Sequence, residues 1–143
     1  MRPFVRALRP AACAALLLVL TGCAAPVGRV TGKVTWKGQP VAGAELAIHP
    51  EKDPTDHFSG LCGDDGTYRV TYRTGNGLPP GRYRVVVTRF LTSDGKPVPA
   101  GEPGEVLKTA GRAVKKSYAF EKEVAAGENP VDFELTQGKE VAE

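Results

Sequence analysis

Residues 63–87 read GDDGTYRVTYRTGNGLPPGRYRVVV, and the two alternating runs inside this stretch decide the fold. Each run follows a glycine turn and carries a tyrosine at the same offset, GTYRV at 66–70 and GRYRV at 81–85. Glycine introduces such turns because it takes positive φ without steric cost. Alternation of apolar and polar side chains makes each run a strand with one buried face. Tyr68, Val70 and Tyr72 share that face in the first run; Tyr83, Val85 and Val87 share it in the second. Taken as a hairpin-like pair, the two strands form the centre of a small β-sandwich, a scaffold rather than an active site.

Working outward, residues 29–37 form the cleanest strand, with Val30, Gly32, Val34 and Trp36 on one face and Arg29, Thr31, Lys33, Thr35 and Lys37 on the other. A turn at 37–40 leads to a strand over 44–49, which Pro50 ends by removing a backbone donor. Residues 51–58 are polar and read as a loop, and 59–62 as a short strand. Residues 90–116 hold three prolines, Pro97, Pro99 and Pro103, and four glycines, with few large apolar side chains. They predict a mobile surface excursion or a binding loop. Strands are expected again at 120–124 and 131–135, separated by a turn at 127–130, and residues 136–143 read as a frayed polar tail. Short strands with turn signals and no helical period predict an all-β, antiparallel transthyretin-like or immunoglobulin-like β-sandwich of about seven strands.

The start of the chain carries a different signal. Residues 1–10 contain three arginines and no acid, and residues 11–20, AACAALLLVL, carry no charge. A basic segment before so short an apolar run is the pattern of an export signal, because a membrane-spanning helix needs about 20 apolar residues. The run ends in Leu20-Thr21-Gly22-Cys23, which resembles the bacterial lipobox. The resemblance implies that the Cys23 thiol receives a diacylglycerol, that residues 1–22 are cut away and that the new amino group is acylated. Several acyl chains hold a protein to a membrane stably, at about 0.8 kcal/mol per buried CH2. Ala24, where an acid would argue for retention at an inner membrane, favours the outer membrane if the bacterium has two.

Export changes the charge argument. Removing Arg2, Arg6 and Arg9 from the 19 basic residues leaves 16, against 16 acidic ones. The mature chain is therefore neutral, and a nucleic-acid partner is not expected. Of three cysteines, Cys13 leaves with the signal and Cys23 carries lipid, so Cys62 remains alone, with no partner for an internal disulfide. The organisation expected is a signal at 1–22, a lipidated tether at 23–28, the sandwich at 29–136 and a polar tail at 137–143.

The motifs GKVT at 32–35, GQPVAGA at 38–44, DGTY at 65–68 and LPPGRYRVVV at 78–87 resemble those of the carboxypeptidase regulatory-like domain, a transthyretin-like β-sandwich. AGENPVDFEL at 126–135 is similar to the closing segment of small envelope lipoproteins built on it. The resemblance covers about 30–135 and implies a fold without a reaction, since every shared motif is a turn or a core tyrosine. A transthyretin-like hydrolase of 5-hydroxyisourate relies on histidines, an arginine and a terminal Tyr-Arg-Gly-Ser. GKEVAE at 138–143 departs from that pattern.

Few residues suggest chemistry. His49, Asp53, Asp56 and His57 have the ligand types of a divalent metal site, but a proline-containing loop does not force them together, and no metal or other cofactor is expected. Asp64 and Asp65 lack the spaced oxygens of a calcium loop and read as turn residues. Cys62 as a nucleophile would need a basic neighbour that spacing does not supply. Arg69, Arg82 and Arg84 point outward, opposite in parity to Tyr68 and Tyr83, as a basic patch for acidic polysaccharide or lipid headgroups, or as ordinary sheet surface. Arg73 and Arg89 lie beside the same strands. The expected function is a non-catalytic, lipid-anchored structural or interaction module of the cell envelope, held to the membrane through Cys23 and free to meet an envelope protein or polysaccharide. The alternatives are a carbohydrate- or metal-binding lipoprotein using 50–58 and 90–116, and an accessory to an envelope transporter.

Overall fold

A computed structural model describes residues 25–71, 77–98 and 113–142. The signal at 1–22, Cys23, Tyr72, Arg73 and the middle of the 90–116 segment lie outside them. Ten strands are described: β1 (Gly28–Trp36), β2 (Gln39–Pro40), β3 (Glu45–Pro50), β4 (Phe58–Leu61), β5 (Thr67–Thr71), β6 (Gly81–Thr92), β7 (Ala113–Val124), β8 (Gly127–Pro130), β9 (Phe133–Glu134) and β10 (Lys139–Val141). The one helix among the described residues is a single 3-10 turn, Leu135–Gln137. The protein is all-β as its alternation predicts.

The strands follow the order β10-β7-β6-β3-β4-β5-β1-β2, with β8 and β9 on the far side of β1. The sheet curls into a half-barrel around one core, and β5 makes the bend. Its first residues pair with β1 (Gly32↔Tyr68), while its last pair with β4 (Gly60↔Val70). Strands that change neighbours in this way turn the corners of a sandwich. Val34, Leu46, Phe58, Leu78, Val87, Phe133 and Leu135 are the largest fully buried side chains among the described residues. Rings close the gap between the two sides: Trp36 of β1 meets Tyr118 of β7 at 5.6 Å, and Phe120 of β7 meets Phe133 of β9 at 4.8 Å.

Both tyrosine runs are strands with the expected face inward: Tyr68 and Val70 are buried, as are Tyr83, Val85 and Val87. They are not neighbours, however, because β3 and β4 lie between β5 and β6. Tyr83 explains part of this. Its hydroxyl donates to the carbonyl of Pro79, a tyrosine-corner type of bond back to the chain just upstream. That bond fixes the entry into β6, which pairs with β3 and β7.

Three other expectations are corrected. The rhythm does not stop at Phe90, since β6 runs to Thr92 and pairs with β7 from Gly81↔Val124 through Thr92↔Ala113. The ends of the expected excursion are thus ladder, held by cross-strand backbone bonds that proline and glycine content does not reveal. Residues 127–130 are a strand rather than a turn, and β8 lies parallel to β1 (Gly28↔Gly127 to Thr31↔Pro130), as does β9 (Val34↔Phe133). The sheet is therefore not wholly antiparallel. The tail is not frayed through its length, because β10 pairs with the edge of β7 at Ser117, Tyr118 and Ala119.

Two residues link β1 to β2. Lys37 (φ 50°) and Gly38 (φ 77°) are both left-handed, the requirement of a two-residue type I′ hairpin. Glycine meets it freely, whereas Lys37 needs outside support, and Glu134 provides it.

Candidate functional surfaces

Glu134 holds the end of β1. One carboxylate oxygen accepts the Lys37 N–H (2.9 Å), and the other accepts the Gly38 N–H (3.1 Å) and the Thr35 hydroxyl (2.8 Å). Thr136 adds its hydroxyl at 2.8 Å. Burial pushes the carboxyl up, but the donors of Thr136, Gly38, Thr35 and Lys37 outweigh it and hold the pKa at about 2. A carboxylate whose folded pKa lies below its ordinary value of 4.5 contributes stability that is present above that value and lost as pH falls toward about 2. Urea unfolding should therefore show wild-type stability decreasing between pH 5 and about pH 2, with a shallower decrease in Glu134→Gln. Identical pH profiles for the two proteins would remove Glu134 from this role.

The residues singled out for metal chemistry are only partly brought together. His49 is the penultimate residue of β3 and His57 precedes β4, with ring centres 6.4 Å apart. Asp53 Oδ1 is occupied by the N–H and hydroxyl of Thr55, and Asp56 Oδ1 by the N–H of His57. No group of three metal-ligating side chains occurs among the described residues. Asp65 likewise accepts the N–H and hydroxyl of Thr67, which makes it a turn carboxylate. Cys62 is buried, and its burial, with Asp65 adding to it, pushes the thiol up to about 12. Little thiolate exists at neutral pH in such a setting.

Arg69, Arg82 and Arg84 are exposed, as expected. Across the β6–β7 ladder Arg82 stands opposite Glu123 and Arg84 opposite Glu121, and Arg82 also approaches Glu51 at 3.8 Å. His49, Glu51, Arg82, Arg84, Glu121 and Glu123 line one shallow groove of about 480 Å³. Its cations are balanced by acids, and exposed pairs of this kind contribute about 0–1 kcal/mol each. Arg69 shares another surface with Arg29 and Glu128, which pair at 3.1 Å.

Arg89 behaves differently, and sequence reading does not assign it a face. It belongs to the inward row Tyr83, Val85, Val87, Arg89, Leu91, and it is 9% exposed. Its guanidinium carbon lies 3.6 Å from the centre of the Trp36 ring and 5.7 Å from that of Tyr118. Stacking on a ring contributes up to about 2 kcal/mol when desolvated, yet it satisfies no N–H. Arg89 makes no ion pair among the described residues, and its Nε and the Tyr118 hydroxyl are both buried without hydrogen-bond partners. A buried polar group left unsatisfied costs about 1–3 kcal/mol, and neither atom has a partner among the described residues. The signal was available in parity: Arg89 lies an even number of residues beyond Tyr83.

A comparison with known protein families finds no family model that matches the chain, and no curated protein matches it.

Proposed function

We propose that the protein is a lipid-anchored, non-catalytic β-sandwich of the cell envelope that acts as a structural or interaction module. The observation that carries this reading is the motif Leu20-Thr21-Gly22-Cys23 behind a basic and then uncharged segment, with the first strand beginning at Gly28. Only residues 24–27 separate the acceptor thiol from folded structure, so the lipid would hold one end of the domain at the membrane surface. The likeness to the carboxypeptidase regulatory-like domain supports the same reading, because its shared motifs build turns and core rather than a reacting group.

The anchor is tested in a bacterial host that processes lipoproteins. The parent chain should incorporate labelled palmitate and partition into detergent, whereas Cys23→Ser should accumulate as an uncut, unlabelled precursor. Normal labelling of the serine variant would overturn the assignment.

A further inference from the structure

Two shallow grooves, each of about 480 Å³, lie along the β6–β7 ladder and meet at Arg84, Glu121 and Lys122. One is the groove of His49, Arg82 and Glu123. The other continues from it toward β10, with Ala119, Phe120, Gln137 and Lys139 completing its lining. Both fall within the range of about 300–1,000 Å³ usual for small-molecule sites. Their charges differ. In the second groove Arg84, Lys122 and Lys139 bring three cations against the one carboxylate of Glu121.

The strand order β10-β7-β6 brings these cations in from three neighbouring strands. Arg84 is the cross-strand partner of Glu121, and Lys139 is that of Ala119. The short side chain of Ala119 therefore leaves a floor between two long basic ones. Lys122 is partly buried, with Nζ 5.8 Å from the centre of the Phe133 ring, which holds its ammonium near the groove. The far rim is fixed as well. Between Gln137 and Lys139 stands Gly138, where an added methyl would lie 2.5 Å from Phe120 Cζ, and the fully buried Leu135 seats this 3-10 turn in the core. A lining set in place before its ligand arrives loses less freedom on binding.

We propose that this groove binds the acidic group of a polysaccharide, with neighbouring sugar hydroxyls lying along the adjoining groove. An excess of cations attracts an anion within the screening distance of about 8 Å at physiological salt. The Arg84 fork matches two oxygens of an acidic group, and the two ammoniums bind it as point charges. The adjoining groove then selects the kind of anion. There Arg82 stands beside Glu51 and opposite Glu123. A run of acidic side chains would meet Glu51, Glu121 and Glu123 in that groove. A sugar hydroxyl both donates and accepts, so carboxylates and guanidinium groups serve it equally. The inference rests on the reading of the protein as an interaction module and names its partner. Labelling of Cys23 does not involve the groove, and the groove does not need the lipid, so either reading can fail without the other.

Calorimetric titration of the detergent-solubilised full chain tests this, with an oligogalacturonate, a dextran oligosaccharide and an oligoglutamate of similar length as probes. Saturable binding is expected with the oligogalacturonate, weaker binding with the oligoglutamate and none with the dextran. Arg84→Gln and Lys139→Gln change exposed side chains, so circular dichroism should stay that of the parent. Each should weaken oligogalacturonate binding about threefold, and the double variant about tenfold. Lys96→Gln removes the same charge from the turn that Thr92 and Lys96 close, outside both grooves, and should leave binding unchanged. The absence of saturable oligogalacturonate binding overturns the proposal. Dextran or oligoglutamate binding as tightly as the oligogalacturonate overturns it too, and so does equal weakening by Lys96→Gln and Lys139→Gln. Where Arg84→Gln does not fold, Lys139→Gln decides: parental affinity in that variant overturns the proposal, and weakened affinity supports it.

Discussion

Gly32→Ala is expected to cost roughly 3 kcal/mol or more of stability, enough to unfold a marginal domain. Gly32 lies mid-way along β1, where residues 131–132 cross between β8 and β9. A methyl group there would sit 1.8 Å from the carbonyl oxygen of Val131 and 2.6 Å from its carbonyl carbon. Both atoms are backbone, so no rotamer change relieves the contact. The crossing is also tied down on every side. Val131 N–H donates to the Thr31 carbonyl at 2.8 Å, the Val131 carbonyl accepts the Tyr68 hydroxyl at 2.6 Å, and Lys33 N–H donates to Asp132 Oδ1 at 2.8 Å. Making room for the methyl would break part of this set, adding about 1–3 kcal/mol for each buried group left unmet to the overpacking cost of about 1–3 kcal/mol. Urea denaturation measures the effect. Gly63→Ala is the control, since its methyl would come no closer than 3.4 Å to a neighbouring atom and should shift the midpoint little. A Gly32→Ala midpoint equal to that of the parent would refute the close approach.

Phe133→Ala is expected to cost about 3–5 kcal/mol, the range for deleting a buried phenylalanine. Phe133 is 2% exposed and stands between the two sides of the half-barrel. Its ring meets Phe120 at 4.8 Å and Tyr68 at 5.9 Å, and Lys122 Nζ lies 5.8 Å from its centre. No other described ring touches both the β5 and the β7 side in this way. Removing it leaves a cavity where the sheet would otherwise close, and the rigid strands around it relax poorly. Phe120→Ala should cost less, because Phe120 is only partly buried. Thermal and urea unfolding compare the two. A loss below about 1 kcal/mol for Phe133→Ala would mean that the seam is not held by this ring.

Much of the core was legible residue by residue. Val30 and Val34, Leu46 and Ile48, Tyr68 and Val70, and the row from Tyr83 to Val87 all face inward as their alternation predicts. The outward arginines 69, 82 and 84 follow from the same parity. Glu134 is a different case. From sequence it is one acid in the alternating run VDFEL, yet it closes a turn 96 and 97 residues away. Arg89 shares the inward parity of Tyr83 to Val87, yet sequence reading places it only on or beside the strand. Residues 127–130 read as a turn because Gly, Asn and Pro favour turns locally, and pairing with β1 overrides that preference.

The sequence by itself determined that this chain is all-β, which face of the alternating runs turns inward, and that turns fall at 37–40 and 63–66. Those properties are local: a period of two residues or a left-handed glycine is complete within a few positions. Only the tertiary structure decided that β3 and β4 separate the two tyrosine strands, that β8 and β9 run parallel to β1, that Glu134 serves Lys37, and that Arg89 lies against Trp36. Alternation tells a strand which way to face but not which strand to lie beside. In a chain whose β1 bonds reach 99 residues ahead, the choice of neighbour rests on the packing of the whole half-barrel.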